Sequence, residues 1–236
     1  MMKFKAAVLA TALLSGVPTF AAELLTNGGF EAGNLSGWSR TGPHSGGCNS
    51  NYTVGTTGST SGCTGFGPYN SFTNPTEGSY AAYNSLDGSA GSTYAISQTV
   101  LLPNAIGDAT ISWSDAAGGG AGWNWAQPRT FSVDLFNGAA LIGNVYNATF
   151  TNNGGAGFFQ NWTVRSIDVM SLLSGFGGQS VTLRFSNFIP QTSTGPASFA
   201  IDNVSFDATA VPEPAMLGLF GLGVAGLAGL RRRKRA

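Results

Sequence analysis

The central part of this chain is predicted to be all-β, a two-layer β-sandwich. Three observations carry that reading. Between residues 23 and 210 there is no long run with a helical period. Short β-branched and aromatic runs instead alternate with turn residues, the pattern of many short strands. The chain also holds 35 glycines, which punctuate those runs. About 190 residues remain between the two termini treated below, enough for one domain with a real core.

The elements follow in order. The stretch 92–102, "STYAISQTVLL", sets Tyr94, Ile96 and Gln98 on one face and Ala95, Ser97 and Thr99 on the other. "ATISWSDA" (109–116) reads as a strand that runs into Gly118-Gly119-Gly120. In "RTFSVDLFNGAAL" (129–141), Phe131, Val133 and Leu135 share a face, and Asn137-Gly138 signals a hairpin. Segments 160–169, 179–188 and 198–207 complete the set of strands, and "MSLLSGFGG" (170–178) has room for one helical turn. No repeat of 20 to 50 residues is visible, which disfavours a solenoid.

The termini differ in kind from this domain. Residues 1–21 have Lys3 and Lys5, an apolar stretch from Ala6 to Leu14, then Pro18 and small residues, the layout of a secretory signal peptide with cleavage after Ala21. Residues 22–208 form the expected sandwich domain. The segment 209–236 contains "VPEP" (211–214), an apolar run from 215 to 230, and the basic end Arg231, Arg232, Arg233, Lys234 and Arg235. Pro212 and Pro214 mark the start of the apolar helix. Sixteen helical residues span about 24 Å, short against a hydrocarbon core of about 30 Å. The basic cluster holds its end on the cytoplasmic side, which leaves everything before it outside. This order of parts resembles the PEP-CTERM sorting signal of Gram-negative bacteria. The resemblance implies a transient inner-membrane anchor, recognised at Pro212, Glu213 and Pro214 by an exosortase-type membrane enzyme and cut near there.

Charge and cysteines narrow the function classes. The two terminal signals carry seven of the 11 positive charges. The remainder keeps Arg40, Arg129, Arg165 and Arg184 against ten carboxylates, a net of about −6. A nucleic-acid binder needs a positive footprint, so that class is excluded. Cys48 and Cys63 are the only cysteines. In an exported chain they are expected to form a disulfide, closing a loop worth about 3 kcal/mol. A zinc site is not supported, because His44 is the only histidine.

A second resemblance covers the domain. "LLTNGGFEAGNLSGW" (24–38) is similar to the first strand of carbohydrate-binding jelly rolls of the galactose-binding-like group, and "SFAIDNVSFD" (198–207) to their last. It implies a jelly-roll sandwich. It also implies a structural calcium at Glu31 and Asp202, the positions that match the family's opening Glu and closing Asp. Calcium takes six to eight oxygen ligands, so carbonyls would complete such a site. Trp123 and Trp125, in "GGGAGWNWAQP", are candidates for holding the C–H face of a sugar ring, with core filling as the alternative for either. Trp38, Trp113 and Trp162 read as core, and Tyr80 and Tyr83 fit either role.

No nucleophile elbow, HExxH or phosphate loop occurs. The expected function is therefore non-catalytic: an exported protein of the cell envelope or exopolysaccharide matrix, sorted through its tail. The alternatives are a lectin-like carbohydrate-binding module and a cryptic glycosidase. The glycosidase requires two convergent carboxylates about 5–9 Å apart.

Overall fold

The computed structural model describes residues 21–44, 49–56, 76–86, 91–119, 128–151, 157–189 and 197–211. The compact unit formed by Ala21–Ala210 contains nearly all of them. Its strands are β1 (Ala21–Glu23), β2 (Ser39–Thr41), β3 (Asn49–Thr56), β4 (Tyr80–Leu86), β5 (Ser92–Leu101) and β6 (Ile106–Gly119). They continue with β7 (Arg129–Asn137), β8 (Ala140–Phe150), β9 (Phe158–Asp168), β10 (Ser180–Ile189) and β11 (Ala197–Ala210). A single helical turn, α1 (Met170–Leu173), lies where one was expected.

The strands form two antiparallel sheets. Sheet A has the order β3-β4-β11-β6-β9, with β1 also paired to β11, and sheet B has the order β2-β5-β10-β7-β8. This is the β-sandwich that the alternation predicts. Five strands were not individually read from the sequence: β1, β2, β3, β4 and β8, the last signalled only through the Asn137-Gly138 turn. The first two are three residues each, too short to show a period.

Alternation decides what the sandwich buries. Along β10, Val181, Leu183 and Phe185 enter the core while Thr182 and Arg184 stay partly exposed. Phe185 sits at the centre, with Trp38, Trp113 and Phe131 rings 6.2, 5.8 and 6.3 Å away. Offset and edge contacts of this kind add to the burial of three large rings. One side of the sandwich is closed by the two edge strands β8 and β9. There Phe150 stacks on Phe158 at 4.9 Å and the Arg165 guanidinium lies 4.2 Å over the Tyr146 ring.

β11 runs for 14 residues, and a register shift between Asp202 and Ser205 breaks its alternation. Phe199 and Ile201 point inward before the shift; Val204, Phe206 and Ala208 do so after it. The bulge thus lets one long strand serve the core on both halves. Asn203, at φ 49°, is the residue that absorbs it.

Candidate functional site: a locked corner and an open sheet face

The two end motifs of the domain meet at one corner, and a third segment completes it. The Val204 amide donates to the Gly28 carbonyl at 3.1 Å, so the opening and closing motifs touch backbone to backbone. A Cβ on Gly28 would lie 1.9 Å from the Val204 carbonyl oxygen, which only glycine avoids. Residues 76–80 are held between them. Glu31 accepts from the amides of Ser79 (2.9 Å) and Tyr80 (2.8 Å). Asp202 accepts from the amides of Thr76 (2.7 Å) and Glu77 (3.0 Å), from the Thr76 hydroxyl (3.0 Å) and from the Asn203 amide (2.7 Å). Glu31 and Asp202, far apart in sequence, therefore grip the same short segment.

The oxygens of Glu31 and Asp202 accept amide and hydroxyl hydrogens in this corner, so the calcium implied for these two residues would have to displace some of those donors. Asp202 is wholly buried. Burial raises its carboxyl above the usual value, against the lowering by its hydrogen bonds to Glu77, Asn203 and Thr76. No cluster of three His, Cys, Asp or Glu is assembled among the described residues. Carbonyl oxygens would have to supply most of the ligands.

Four other carboxylates among the described residues are committed to local structure. Asp115, buried on β6, accepts from Trp113 Nε1 (2.9 Å) and Gln160 (2.6 Å) and is paired with Arg165. Asp134 on β7 accepts from Ser132 (2.8 Å) and Asn144 (2.7 Å). Glu23 holds the amides of Leu25 and Phe206, and Asp168 holds that of Met170. Near Asp115, Tyr52 donates to Asn187 at 2.6 Å, and its phenol is raised by burial first and by Asp115 second. These are groups that fix strands and turns.

The two sheets present very different outer faces. On sheet A, Tyr83, Ala200 and Ala116 are neighbours across β4, β11 and β6. With Ala81 they form a second apolar cluster in which Tyr83 is 2% exposed and Ala200 fully excluded from water. Trp162 on β9 packs against this cluster and not in the main core, unlike Trp38 and Trp113. Trp162, expected in the core, lies on the outer side instead: Thr163, Arg165 and Ile167 stand opposite the inward Asp115, Trp113 and Ile111, so alternation puts Trp162 on the outward face with the exposed Val164. The Tyr83 phenol is raised to about 12, by burial and then by Asp202.

Sheet B keeps an open outer face. Ser97, Arg184 and Asp134 lie side by side across β5, β10 and β7, and Asn144 of β8 continues the row. The next row contains Thr99, Thr182 and Phe136, with the two threonine hydroxyls 2.7 Å apart. On the other side, Ser132 and Ser186 are hydrogen-bonded at 2.9 Å. Exposed apolar side chains frame this polar centre: Phe188 (39%), Leu101 (67%) and Leu141 (57%). Arg184 lies 4.0 Å over the Phe136 ring. Sequence reading did not single out Arg184, Asp134 or Phe136 as binding residues. Alternation puts each of them opposite a core position, but only the strand register sets them beside one another.

Several expected sites lie outside the described residues: Trp123, Trp125, Cys48, Cys63, Pro212, Glu213, Pro214 and the basic end 231–235.

The molecule is thus a two-sheet sandwich with one closed face and one open face. Comparison with known proteins adds a family match for the tail: residues 210–234 match the PEP-CTERM protein-sorting motif. No curated protein matches the chain. Among solved structures it is similar to TmCBM61, determined in complex with β-1,4-galactotriose, at 17% identity and a TM-score of 0.46, over 78% of this chain and 97% of that one. It is also similar to a CBM28 module specific for non-crystalline cellulose, at 12% identity and a TM-score of 0.42, over 80% and 97%. A third is the K3 cleaved adhesin domain of Lys-gingipain from Porphyromonas gingivalis W83, at 13% identity and a TM-score of 0.45, over 78% and 98%. At these identities the likeness is one of fold.

Proposed function

We propose that this is an exported, non-catalytic protein of the cell envelope or exopolysaccharide matrix, whose sandwich holds polysaccharide on the outer face of sheet B. The observation that carries the sorting part is the match of residues 210–234 to the PEP-CTERM protein-sorting motif. The motif implies export and processing by exosortase, a membrane enzyme. In this reading the signal peptide 1–21 is removed on export, and the apolar run 215–230 anchors the chain until the tail is cut near Pro212-Glu213-Pro214. Cys48 and Cys63 then form a disulfide in the oxidising compartment, and a thiol assay on unfolded, unreduced protein should detect no free thiol.

The non-catalytic part is supported by the carboxylates. Those of Asp115, Asp134, Asp202, Glu31, Glu23 and Asp168 each hold an amide or a neighbouring side chain. A glycosidase pair would require two of them turned to a common substrate. The polysaccharide part is supported by the open face, where hydroxyl, amide and charged groups stand beside an aromatic ring, the mixture that sugars recognise. Trp123 and Trp125 remain proposed sugar contacts, and a calcium at Glu31 and Asp202 remains the proposed metal.

The test is localisation. Full-length protein should be found in the outer envelope or matrix, with intact mass short of the C-terminal helix. A variant lacking residues 211–236 should instead remain in the periplasmic fraction. Recovery of an uncut tail from the surface, or unchanged sorting of the truncated variant, contradicts the proposal.

A further inference from the structure

We infer that the open face of sheet B selects a carboxylated sugar polymer, with Arg184 as the residue that receives the carboxylate. The inference rests on the reading of that face as a polysaccharide surface, and adds the chemical class of the ligand.

Arg184 is directly opposite Asp134 in the β10–β7 register, the position from which an ion pair would ordinarily form. It does not form. Asp134 gives one oxygen to Ser132 and the other to Asn144. The sole ion pair among the described residues is the one between Arg165 and Asp115. No described residue accepts a hydrogen bond from the Arg184 guanidinium, and its Nε is shielded without an acceptor. The planar group is held instead by the Phe136 ring, 4.0 Å below it. A stacked guanidinium keeps its orientation with little further loss of freedom, so its remaining N–H groups are ready for an incoming acceptor.

The surroundings choose among acceptors. A guanidinium edge fits a planar carboxylate through two parallel hydrogen bonds. Ser97 flanks it on β5, and Asp134 on β7 is turned to Ser132 and Asn144, so the charge of Arg184 is left without a paired carboxylate. One carboxylate balances Arg184. A phosphate ester would bring a second negative charge toward Asp134, and a sulfate ester is separated from a carboxylate by the test below. The hydroxyls of Thr99 and Thr182 and the side-chain carbonyl oxygen of Asn144, whose NH2 is given to Asp134, are placed for ring hydroxyls on either side. Without its terminal signals the chain is strongly acidic, so long-range attraction cannot draw it to an acidic polymer, and recognition must come from local contacts.

The test uses polygalacturonate and the same polymer fully methyl-esterified, titrated calorimetrically against the exported domain. The wild type should bind the acid form at least about tenfold tighter than the ester, the scale of one charge-assisted pair. Arg184→Gln should bring the two within about twofold while leaving the melting temperature in place. Arg184→Lys keeps the charge but loses the planar fork, and should lose most of the preference. Equal binding of acid and ester by the wild type overturns this inference and leaves the polysaccharide reading standing. Binding of neither overturns both. A preference that survives Arg184→Gln removes Arg184 from the site, and tighter binding of dextran sulfate than of polygalacturonate overturns the carboxylate assignment.

Discussion

The outer face of sheet A and the outer face of sheet B are built from strands of similar length, yet one is shut and the other is open. On sheet A the outward positions of the middle strands are Ala81, Ala116 and Ala200 beside Tyr83, all but excluded from water. On sheet B the corresponding positions are Ser97, Thr99, Thr182, Arg184 and Asp134, most of them in reach of solvent. The locked corner borders the first face, because Asp202 lies on β11 two residues beyond Ala200. The contrast teaches that side-chain size and polarity on the outward positions, not strand geometry, set which face is apolar and buried and which keeps polar groups in reach of solvent. Substitutions on sheet A should be read in stability, and those on sheet B in binding.

The largest effect is expected at the corner. Gly28→Ala forces a Cβ to 1.9 Å from a carbonyl oxygen that belongs to the central strand of sheet A. A loss of about 3 kcal/mol is expected, measured by denaturant unfolding. A variant as stable as the wild type would mean that the two end motifs are not interlocked.

Calcium comes next. If Glu31 and Asp202 hold it, the protein should be more stable with calcium than with chelator, by about 2.7 kcal/mol at a hundredfold excess over Kd. Glu31→Gln and Asp202→Asn should shrink that difference. The sign with pH follows from the raised carboxyl of Asp202. In chelator, the folded state binds this proton more tightly than the unfolded state does. The stability it contributes is therefore full below the unfolded value and is lost as pH rises through the folded one. The wild type should thus weaken relative to Asp202→Asn across that acidic window and show no further change above it. Identical melting in calcium and chelator would leave both residues as anchors of segment 76–80 alone.

Ala200→Leu should cost about 2 kcal/mol by overpacking a face that has no free space, without altering any binding on the other sheet. Arg184→Gln should be the mildest for stability, within about 0.5 kcal/mol, because it removes only a partly exposed stacking contact. Together the last two substitutions break the comparison if their effects are exchanged.

Much of this was legible beforehand. Strands β5, β7 and β10 of sheet B could be placed because polar and apolar residues alternate cleanly in 92–102, 129–141 and 179–188. The closing motif was legible as a strand, whereas 24–38, expected to be the first strand, is a run of turns between β1 and β2; the structure supplies the reason for both motifs, since Gly28 lies against Val204 and Asp202 and Glu31 reach residues 76–80. Segment 76–80 itself could not be read as their partner, since nothing local in "TEGSY" shows which carboxylates cap its amides. The face of Trp162 was missed because alternation separates two faces without saying which is inward, and that is set by the pairing with β6. The Arg184 site was missed for a related reason. Its parts come from β5, β7, β8 and β10, and their meeting depends on register across four strands.

The division between the two faces is tested most directly by amide chemical-shift mapping of the isotope-labelled domain during titration with trigalacturonate. The account predicts shifts at Ser97, Thr99, Asp134, Phe136, Thr182 and Arg184, with Ala81, Tyr83, Ala116, Trp162 and Ala200 unmoved. Shifts confined to the second group, or shifts spread equally over both sheets, would contradict it.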